Sequence, residues 1–424
     1  MSDQKRIFPI KNDPACLLKW GWSTIYLNSG TTSSCHRTKK YAIDPNNFDQ
    51  FHNHPEKIKE RQLMLQGQWP GNGCEYCKKT EDMGGVSDRQ FHLQVQADPG
   101  LTAPELHVDP QATEVTPTML EVYFNNTCNM ACVYCGSHYS SLWEAENKKF
   151  EDILNKNGHY EFSIENSQHN PYYDKMCKDL WQYLETDNRY KILRRFHILG
   201  GEPFLLKELD DSINFWHTHA NPDLVFSLIT NLNIPHKVFL SYMDRFQQLV
   251  ESNKIWKLQI TGSLDCWGPE QEYVRYGLNL KQWQQNFEYL LDKKWATLSI
   301  NSALSSLTIK KLPELIEKIN EWNIIRGSLD PIILSFNWTN REDCPMIFGP
   351  GIFDNEFEKA LQSLHVFSDH TQGIYNSLES IRRTINKQQK NLEKINKLKT
   401  YLSKLDQRRG TNWKQTFPWL DQLN

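Results

Sequence analysis

A regular alternation of strand-like and helix-like segments restricts the fold of this chain more than any other feature. It begins at residue 118 with the apolar stretch TMLEVYF and ends near residue 338 with IILSFNW. About six strand–helix units follow one another over this range. Strands that alternate with helices form a parallel sheet with right-handed crossovers. The sequence therefore predicts an α/β fold with a partial TIM-type (β/α)6 barrel, whose chemistry would lie at the C-terminal ends of the strands.

Two segments of different character flank this alternating core. Residues 1–110 are irregular and cysteine-rich, with a hairpin pattern, a helix ending near Gly67, and a proline-containing stretch typical of a linker. Residues 346–424 show leucine and isoleucine at helical spacing. We expect three units: a small N-terminal Cys-rich metal-cluster domain with its linker (1–110), the barrel core (111–345) and a C-terminal helical extension (346–424).

The charge balance of the 424 residues excludes some classes of protein. There are 48 basic and 51 acidic residues, which give a net charge of -3. This balance argues against a protein that binds nucleic acid over its whole surface or a polybasic membrane protein. No apolar run reaches the roughly 18 residues of a spanning helix, and the N-terminus lacks the apolar region of a secretory signal. We expect a cytoplasmic protein, in which clustered cysteines bind metals.

A local excess of basic residues stands out against this neutral total. Residues 382–409 contain ten Lys or Arg and two Asp or Glu. Such a helix can contact nucleic acid or an acidic peptide, but a solvated face of a docked helix is the favoured interpretation.

Three of the ten cysteines lie within eight residues, directly after the first predicted strand. The stretch NTCNMACVYCG spaces Cys128, Cys132 and Cys135 as C-x3-C-x2-C. A closed zinc site takes four ligands and a disulfide takes two. Three thiolates can hold three irons of a cubane cluster, which leaves the fourth iron open to a small molecule that binds through an amine and a carboxylate.

This spacing, with the aromatic Tyr134 before the last cysteine, resembles the radical S-adenosylmethionine (SAM) superfamily. The resemblance implies a 4Fe-4S cluster whose open iron chelates SAM. It also implies an electron donor such as flavodoxin or ferredoxin, and cleavage of SAM to methionine and a 5′-deoxyadenosyl radical that abstracts a substrate hydrogen.

Further stretches at successive predicted strand ends also resemble the family. The resemblance implies that residues in these stretches bind SAM. HILGGEP matches the segment that approaches the SAM ammonium, SLITN matches the next strand end, and GSLDCWGPEQEYVRYG carries a Ser and an Arg twelve residues apart. The Arg would pair with the SAM carboxylate. Taken singly, each feature has a plain structural alternative: a turn, an N-cap or a surface ion pair. The residues concerned are Gly200, Gly201, Glu202, Thr230, Asn231, Ser263 and Arg275.

Four more cysteines, Cys16, Cys35, Cys74 and Cys77, fall in the short N-terminal segment. Four thiolates can close a cubane cluster or a zinc site. The pattern resembles the SPASM or twitch auxiliary-cluster domains of peptide-modifying radical SAM enzymes. Those domains usually follow the barrel, so a group with an N-terminal twitch-like module, known from phages and environmental bacteria, fits better. A second 4Fe-4S cluster is the favoured occupant. Zinc, with His36 as a substitute ligand, and no metal are the alternatives.

The favoured function is a radical SAM oxidoreductase that modifies a peptide or protein side chain. The twitch-like module and the match at Ser263 and Arg275 support it. Two alternatives stay open: radical modification of a nucleotide, sugar or lipid-linked precursor, and a non-catalytic, zinc-stapled binding protein. Asp265, Cys266 and Tyr273 are candidates for the proton or hydrogen donor, although a structural role is equally compatible with their positions.

Overall fold

A computed structural model describes residues 14, 16–82, 87, 89–90, 112–150, 170–327, 329–364 and 369–423. Most of the predicted linker, residues 97–111, lies outside these ranges. No helix in the described ranges is both long and apolar enough to cross a membrane.

One nine-stranded sheet organises the molecule, with strand order β3-β2-β1-β4-β5-β6-β7-β8-β9. Strands β4 to β9 are parallel neighbours in sequence order, as the alternating pattern predicts. The predicted α/β class with a parallel sheet is thus confirmed, while closure into a partial barrel stays a prediction. The strands are Trp22–Tyr26, Thr31–Ser33, Tyr41–Ala42, Met119–Tyr123, Arg195–Leu199, Asn221–Thr230, Ile255–Ser263, Ala296–Leu304 and Ile333–Trp338.

The Cys-rich segment is joined to the core through this sheet. Strand β1 pairs with β4 in parallel register, so that Tyr26 lies opposite Tyr123. Strands β2 and β3 then extend the sheet as antiparallel neighbours of β1. Three strands from the N-terminal side belong to the same sheet as the core. A division of the chain near residue 110 therefore stays a prediction.

The α-helices connect and cover the strands. A proline stands in the first turn of several of them, where its missing N–H costs nothing. In chain order, α1 to α15 are Leu17–Gly21, Pro55–Leu65, Glu75–Asp82, Ser141–Lys149, Tyr173–Glu185, Lys207–Thr218, His236–Glu251, Pro269–Val274, Leu280–Glu288, Leu312–Arg326, Asp354–Ser363, Asp369–Asn386, Leu392–Arg409, Trp413–Thr416 and Pro418–Asp421.

The two faces of the sheet differ in chemistry because side chains alternate along each strand. One face buries residues such as Val122, Phe196, Phe226, Ile260 and Ile300 in the main hydrophobic core. The opposite face, which we call the polar face, carries hydrogen-bonding side chains in register across the strands. Its members include Glu121, His197, Ser227, Gln259, Thr261, Ser299, Asn301, Ser335 and Asn337.

The C-terminal helices pack onto the core through the periodic apolar residues of the sequence. Leu378, Leu398, Leu402 and Leu405 are fully buried. The last turn of α13 is polar but also buried: Arg408 and Arg409 pair with Glu146 of α4 at 3.2 and 3.0 Å. These two basic residues are therefore engaged inside the protein and not on its surface.

Substitutions at two neighbouring residues of β6, one on each face of the sheet, should change the free energy of unfolding by different amounts. Phe226 is fully buried and packs against Phe246 at 5.0 Å between ring centroids. Phe226→Ala should lower the free energy of unfolding by about 3–5 kcal/mol, because it leaves a cavity. Ser227→Ala should change it by less than about 1 kcal/mol, because the buried Ser227 hydroxyl has no hydrogen-bond partner among the described residues to lose. Urea denaturation measures both, and equal losses would contradict this assignment of faces.

Candidate functional site

The cysteine loop, residues 124–140, leaves the C-terminal end of β4 and leads into α4. Its backbone pairs with the segment that follows α8, since the N–H groups of Ala131 and Val133 donate to the carbonyls of Tyr276 and Val274 at 2.8 and 2.7 Å. The loop is therefore held in place from a second part of the chain.

The three thiols of the loop lie close enough to influence each other. Burial raises the pKa of Cys128, and the neighbouring Cys132 and Cys135 raise it further. Burial raises the pKa of Cys132 to about 12, against the opposing effect of Arg275. Buried thiols with raised pKa values stay protonated at neutral pH unless a metal centre stabilises their thiolates.

The Gly200–Gly201 pair at the end of β5 lies directly against this loop. Gly201 has a positive φ of 57°, and a Cβ there would stand 2.3 Å from the carbonyl oxygen of Thr127. The N–H of Glu202 donates to that same oxygen at 2.7 Å. Only glycine permits this approach of the backbone, so the strand end and the cysteine loop form one edge.

The Glu202 carboxylate is fully buried and accepts three hydrogen bonds. Its donors are the Thr230 hydroxyl and the Asn231 N–H, each at 2.6 Å, and the Phe204 N–H at 3.2 Å. The structure therefore uses this carboxylate to join the ends of β5 and β6. Its role as an acceptor for an ammonium group stays a prediction.

Asn231 stands next to the cysteine loop, and its role in binding SAM stays a prediction. Its side-chain NH2 group donates to Asn129 Oδ1 at 2.8 Å and lies 3.8 Å from the Cys128 sulfur. A donor at this distance stabilises negative charge on the sulfur.

A buried ion pair connects the third matching segment to the loop. Arg275 donates to both oxygens of Asp265, at 2.8 and 2.7 Å, in a bidentate arrangement. The Tyr134 hydroxyl donates to Asp265 at 2.6 Å, and the Ala303 N–H donates at 2.8 Å. The guanidinium group predicted to pair with a ligand carboxylate is thus paired with a carboxylate of the chain itself.

The other candidate residues are distributed around this pair. Ser263 ends β7 and is nearly buried. The Cys266 thiol is fully buried and lies 3.6 Å from Gln271 Oε1, and the Tyr273 hydroxyl donates to Asp406 at 2.9 Å. These environments give Asp265, Cys266 and Tyr273 structural partners, and their role as donors in a reaction stays a prediction.

The four N-terminal cysteines converge on one cavity. All four of them line it, together with Lys19, Arg37, Trp69 and Arg89. Burial raises the pKa of Cys16 to about 12 and that of Cys74 to about 11, and in each case the thiol of Cys35 raises it further. The buried Lys19, which forms an ion pair with Glu60, opposes this effect. Four thiols and nearby cations suit an anionic metal–thiolate centre.

The spacing of the thiols bears on which metal centre they fit. Within the described ranges, no three Cys, His, Asp or Glu side chains converge closely enough to hold a single metal ion. In a cubane cluster each thiolate binds a different iron, so the sulfurs stand further apart than the ligands of one ion. Zinc needs four ligands around one point, and the choice between zinc and a cluster for the N-terminal set stays a prediction.

Several side chains that hold the cysteine loop were not foreseen from the sequence. Trp143, Tyr401 and Arg341 each donate to a loop carbonyl. Tyr401 and Arg341 lie more than two hundred residues from the cysteines, and no spacing rule connects them. A tryptophan in the first turn of the helix after the loop was the only local signal.

No protein-family model matches the chain, and no curated protein matches it. Three solved structures are similar to parts of it. A polyhistidine-tagged anSMEcpe with bound AdoMet is 18% identical (58% of this chain, 59% of that chain, TM-score 0.31). Streptococcus suis SuiB is 12% identical (94% and 74%, TM-score 0.35), and TYW1 with a bound lysine–pyruvate adduct is 18% identical (55% and 68%, TM-score 0.27). Such TM-scores do not establish a shared fold.

The buried Glu202 side chain should make the stability of the folded protein depend on pH. Burial raises its pKa from the ordinary value of 4.5 to about 7. A carboxyl group with a raised pKa in the folded protein stabilises the fold below its unfolded pKa, and this contribution is lost as the pH rises through 7. We expect the stability of the metal-free wild type, relative to Glu202→Gln, to fall by roughly 3 kcal/mol between about pH 4.5 and about pH 8. Urea denaturation across this range measures the difference, and a constant difference would contradict the raised pKa.

Proposed function

We propose that this protein is a radical SAM enzyme. The observation that carries the proposal is the shared edge at the C-terminal ends of β4, β5 and β6, where the cysteine loop contacts Gly201 through Thr127 and Asn231 through the Cys128 sulfur. Three thiols at such an edge, with glycine backbone and an amide donor beside them, suit a 4Fe-4S cluster that leaves one iron free for SAM. When bound, the cluster supplies the electron that cleaves SAM to a 5′-deoxyadenosyl radical.

The residues around the loop would orient the cofactor. The glycine pair brings backbone carbonyls within reach of an ammonium group, because no Cβ intervenes. Arg275, held by Asp265, keeps a positive charge 5.6 Å from the ring of Tyr134. In this arrangement we assign Arg275 to the positioning of Tyr134. To pair with a ligand carboxylate, Arg275 would have to give up its pairing with Asp265. Ser263 and Thr230 complete the same edge from β7 and β6.

The N-terminal cysteines would hold a second 4Fe-4S cluster. Their convergence on one cavity supports this. Backbone N–H groups also bond to the sulfurs: that of Leu18 to Cys16 and those of Arg37 and Thr38 to Cys35. Hydrogen bonds of this kind stabilise thiolates that bind iron. Such a cluster can accept the electron left after oxidation of a substrate, which favours an oxidoreductase.

A peptide or protein side chain is the substrate that the polar face supports best. Amide and hydroxyl side chains cover this face, and Ser335 and Asn337 are exposed at its β9 end, where Asn337 donates to Asn301 at 3.1 Å. Such groups match the donors and acceptors of a peptide backbone. Nucleic acid is less favoured, because Arg408 and Arg409 of the basic helix are buried in pairs with Glu146. An electron donor such as flavodoxin or ferredoxin completes the proposal.

Replacing each cysteine set in the protein reconstituted without air separates the two metal centres. We expect the triple variant Cys128→Ala, Cys132→Ala, Cys135→Ala to lose about half of the iron and all formation of 5′-deoxyadenosine from SAM. The quadruple variant at the N-terminal cysteines should lose the other half but still cleave SAM. Iron and zinc analysis and chromatography of the products measure these outcomes.

The isolated Cys177 provides a matched control, since Cys177→Ala should change neither quantity. Zinc in place of iron at the N-terminal set would contradict the second cluster. A wild-type protein that binds no iron at the cysteine loop would overturn the proposed function.

A further inference from the structure

Side chains from three parts of the chain donate hydrogen bonds to carbonyls of the cysteine loop. Three donors belong to α4 and its N-cap: the Ser140 hydroxyl bonds to Met130 O at 2.6 Å, the Ser141 hydroxyl to Cys128 O at 3.2 Å, and the Trp143 indole N–H to Cys132 O at 2.8 Å. The other two come from much later in the sequence. They are the subject of the inference, because they hold the Val133–Tyr134 and Cys135–Gly136 peptide groups, close to the third cysteine.

These later donors are Tyr401 of α13 and Arg341 of the loop after β9. The Tyr401 hydroxyl donates to Val133 O at 2.8 Å, and Arg341 Nη1 donates to Cys135 O at 2.5 Å. A peptide group is planar and trans, so its C=O and N–H point in opposite directions. Fixing the two carbonyls therefore fixes the N–H directions of Tyr134 and Gly136.

The positions of these two peptide groups affect the electrostatic environment of the sulfurs in the loop. Burial raises the pKa of the Cys135 thiol, while the Gly136 backbone and the Arg341 guanidinium lower it, and the Cys135 sulfur lies 3.8 Å from Gly136 O. Arg341 holds the Cys135–Gly136 peptide group from its carbonyl side. Hydrogen bonds to the sulfurs are among the factors that set the reduction potential of an iron–sulfur cluster.

Tyr401 lies in a closely packed part of the protein. Tyr401 is nearly buried, and its neighbours Leu398 and Leu402 are fully buried in the main core. Further along α13, the Arg409 guanidinium stacks 4.6 Å above the ring of Trp143 and pairs with Glu146. Helix α13 thus packs against α4, the helix that follows the cysteine loop, and this packing places the Tyr401 hydroxyl against the loop.

We propose that Tyr401 and Arg341 are positioning residues that fix the Val133–Tyr134 and Cys135–Gly136 peptide groups of the cysteine loop beside its metal–thiolate centre. This inference rests on the proposed function where it concerns a bound cluster. It assigns a role to the C-terminal extension, which would tune the centre without supplying any ligand to it.

The first test uses full-length, metal-free protein. Tyr401→Phe removes only the hydroxyl and keeps the buried ring, and Arg341→Met removes the donor but keeps the length of the side chain. We expect hydrogen exchange at residues 133–136 to become about five-fold faster in each variant, the effect of one lost hydrogen bond. Tyr375→Phe and Arg383→Met, both on exposed positions of α12, are matched controls and should leave this exchange unchanged. Exchange equal to that of the controls would overturn the inference.

The second test uses protein with the cluster reconstituted. Both variants should bind as much iron as wild type but show a more negative midpoint potential in an EPR-monitored titration, because the two peptide groups are no longer held in place beside the Cys135 sulfur. Potentials equal to those of wild type and controls would overturn the inference, since a purely structural role would change stability alone. If wild-type protein binds no iron, the proposed function fails, and the exchange experiment still decides whether Tyr401 and Arg341 order the loop.

Discussion

The parallel pairing of β4, β5 and β6 is the constraint on which the rest of the structure depends. Parallel strands place their C-terminal ends at one edge of the sheet, so residues far apart in sequence meet there. The cysteine loop, the Gly200–Gly201 turn and Asn231 follow these three strand ends. Close contact between Gly201 and Thr127 then locks the loop against its neighbour. Without this pairing, the three thiols would have no glycine backbone or amide donor beside them.

Near each of the two cysteine sets, a buried cation is paired with a carboxylate of the chain itself. Asp265 neutralises Arg275 and accepts from Tyr134, while Lys19 and Glu60 form a pair beside the N-terminal cavity. Burying one member of such a pair alone would be strongly unfavourable. Each cysteine set therefore stands next to a buried cation whose charge is compensated by a carboxylate of the same chain.

The sequence predicted those features that follow from local pattern. Strand–helix alternation gave the parallel sheet, and the four N-terminal cysteines do share one cavity. Features set by long-range contacts were not predictable. The parallel pairing of β1 with β4 joins segments almost one hundred residues apart. The partner of Arg275 and the donors Tyr401 and Arg341 depend on how helices pack, and a spacing of residues carries no information about that.

The central claim is that the three thiols of the cysteine loop leave one iron free to bind SAM. Electron–nuclear double resonance on the reduced protein, with SAM labelled by 15N at its amine and 17O at its carboxylate, measures this contact directly. The account predicts hyperfine coupling of both labels to the cluster, and its loss in Cys132→Ala. A reduced cluster whose spectrum does not change on addition of SAM would contradict the account.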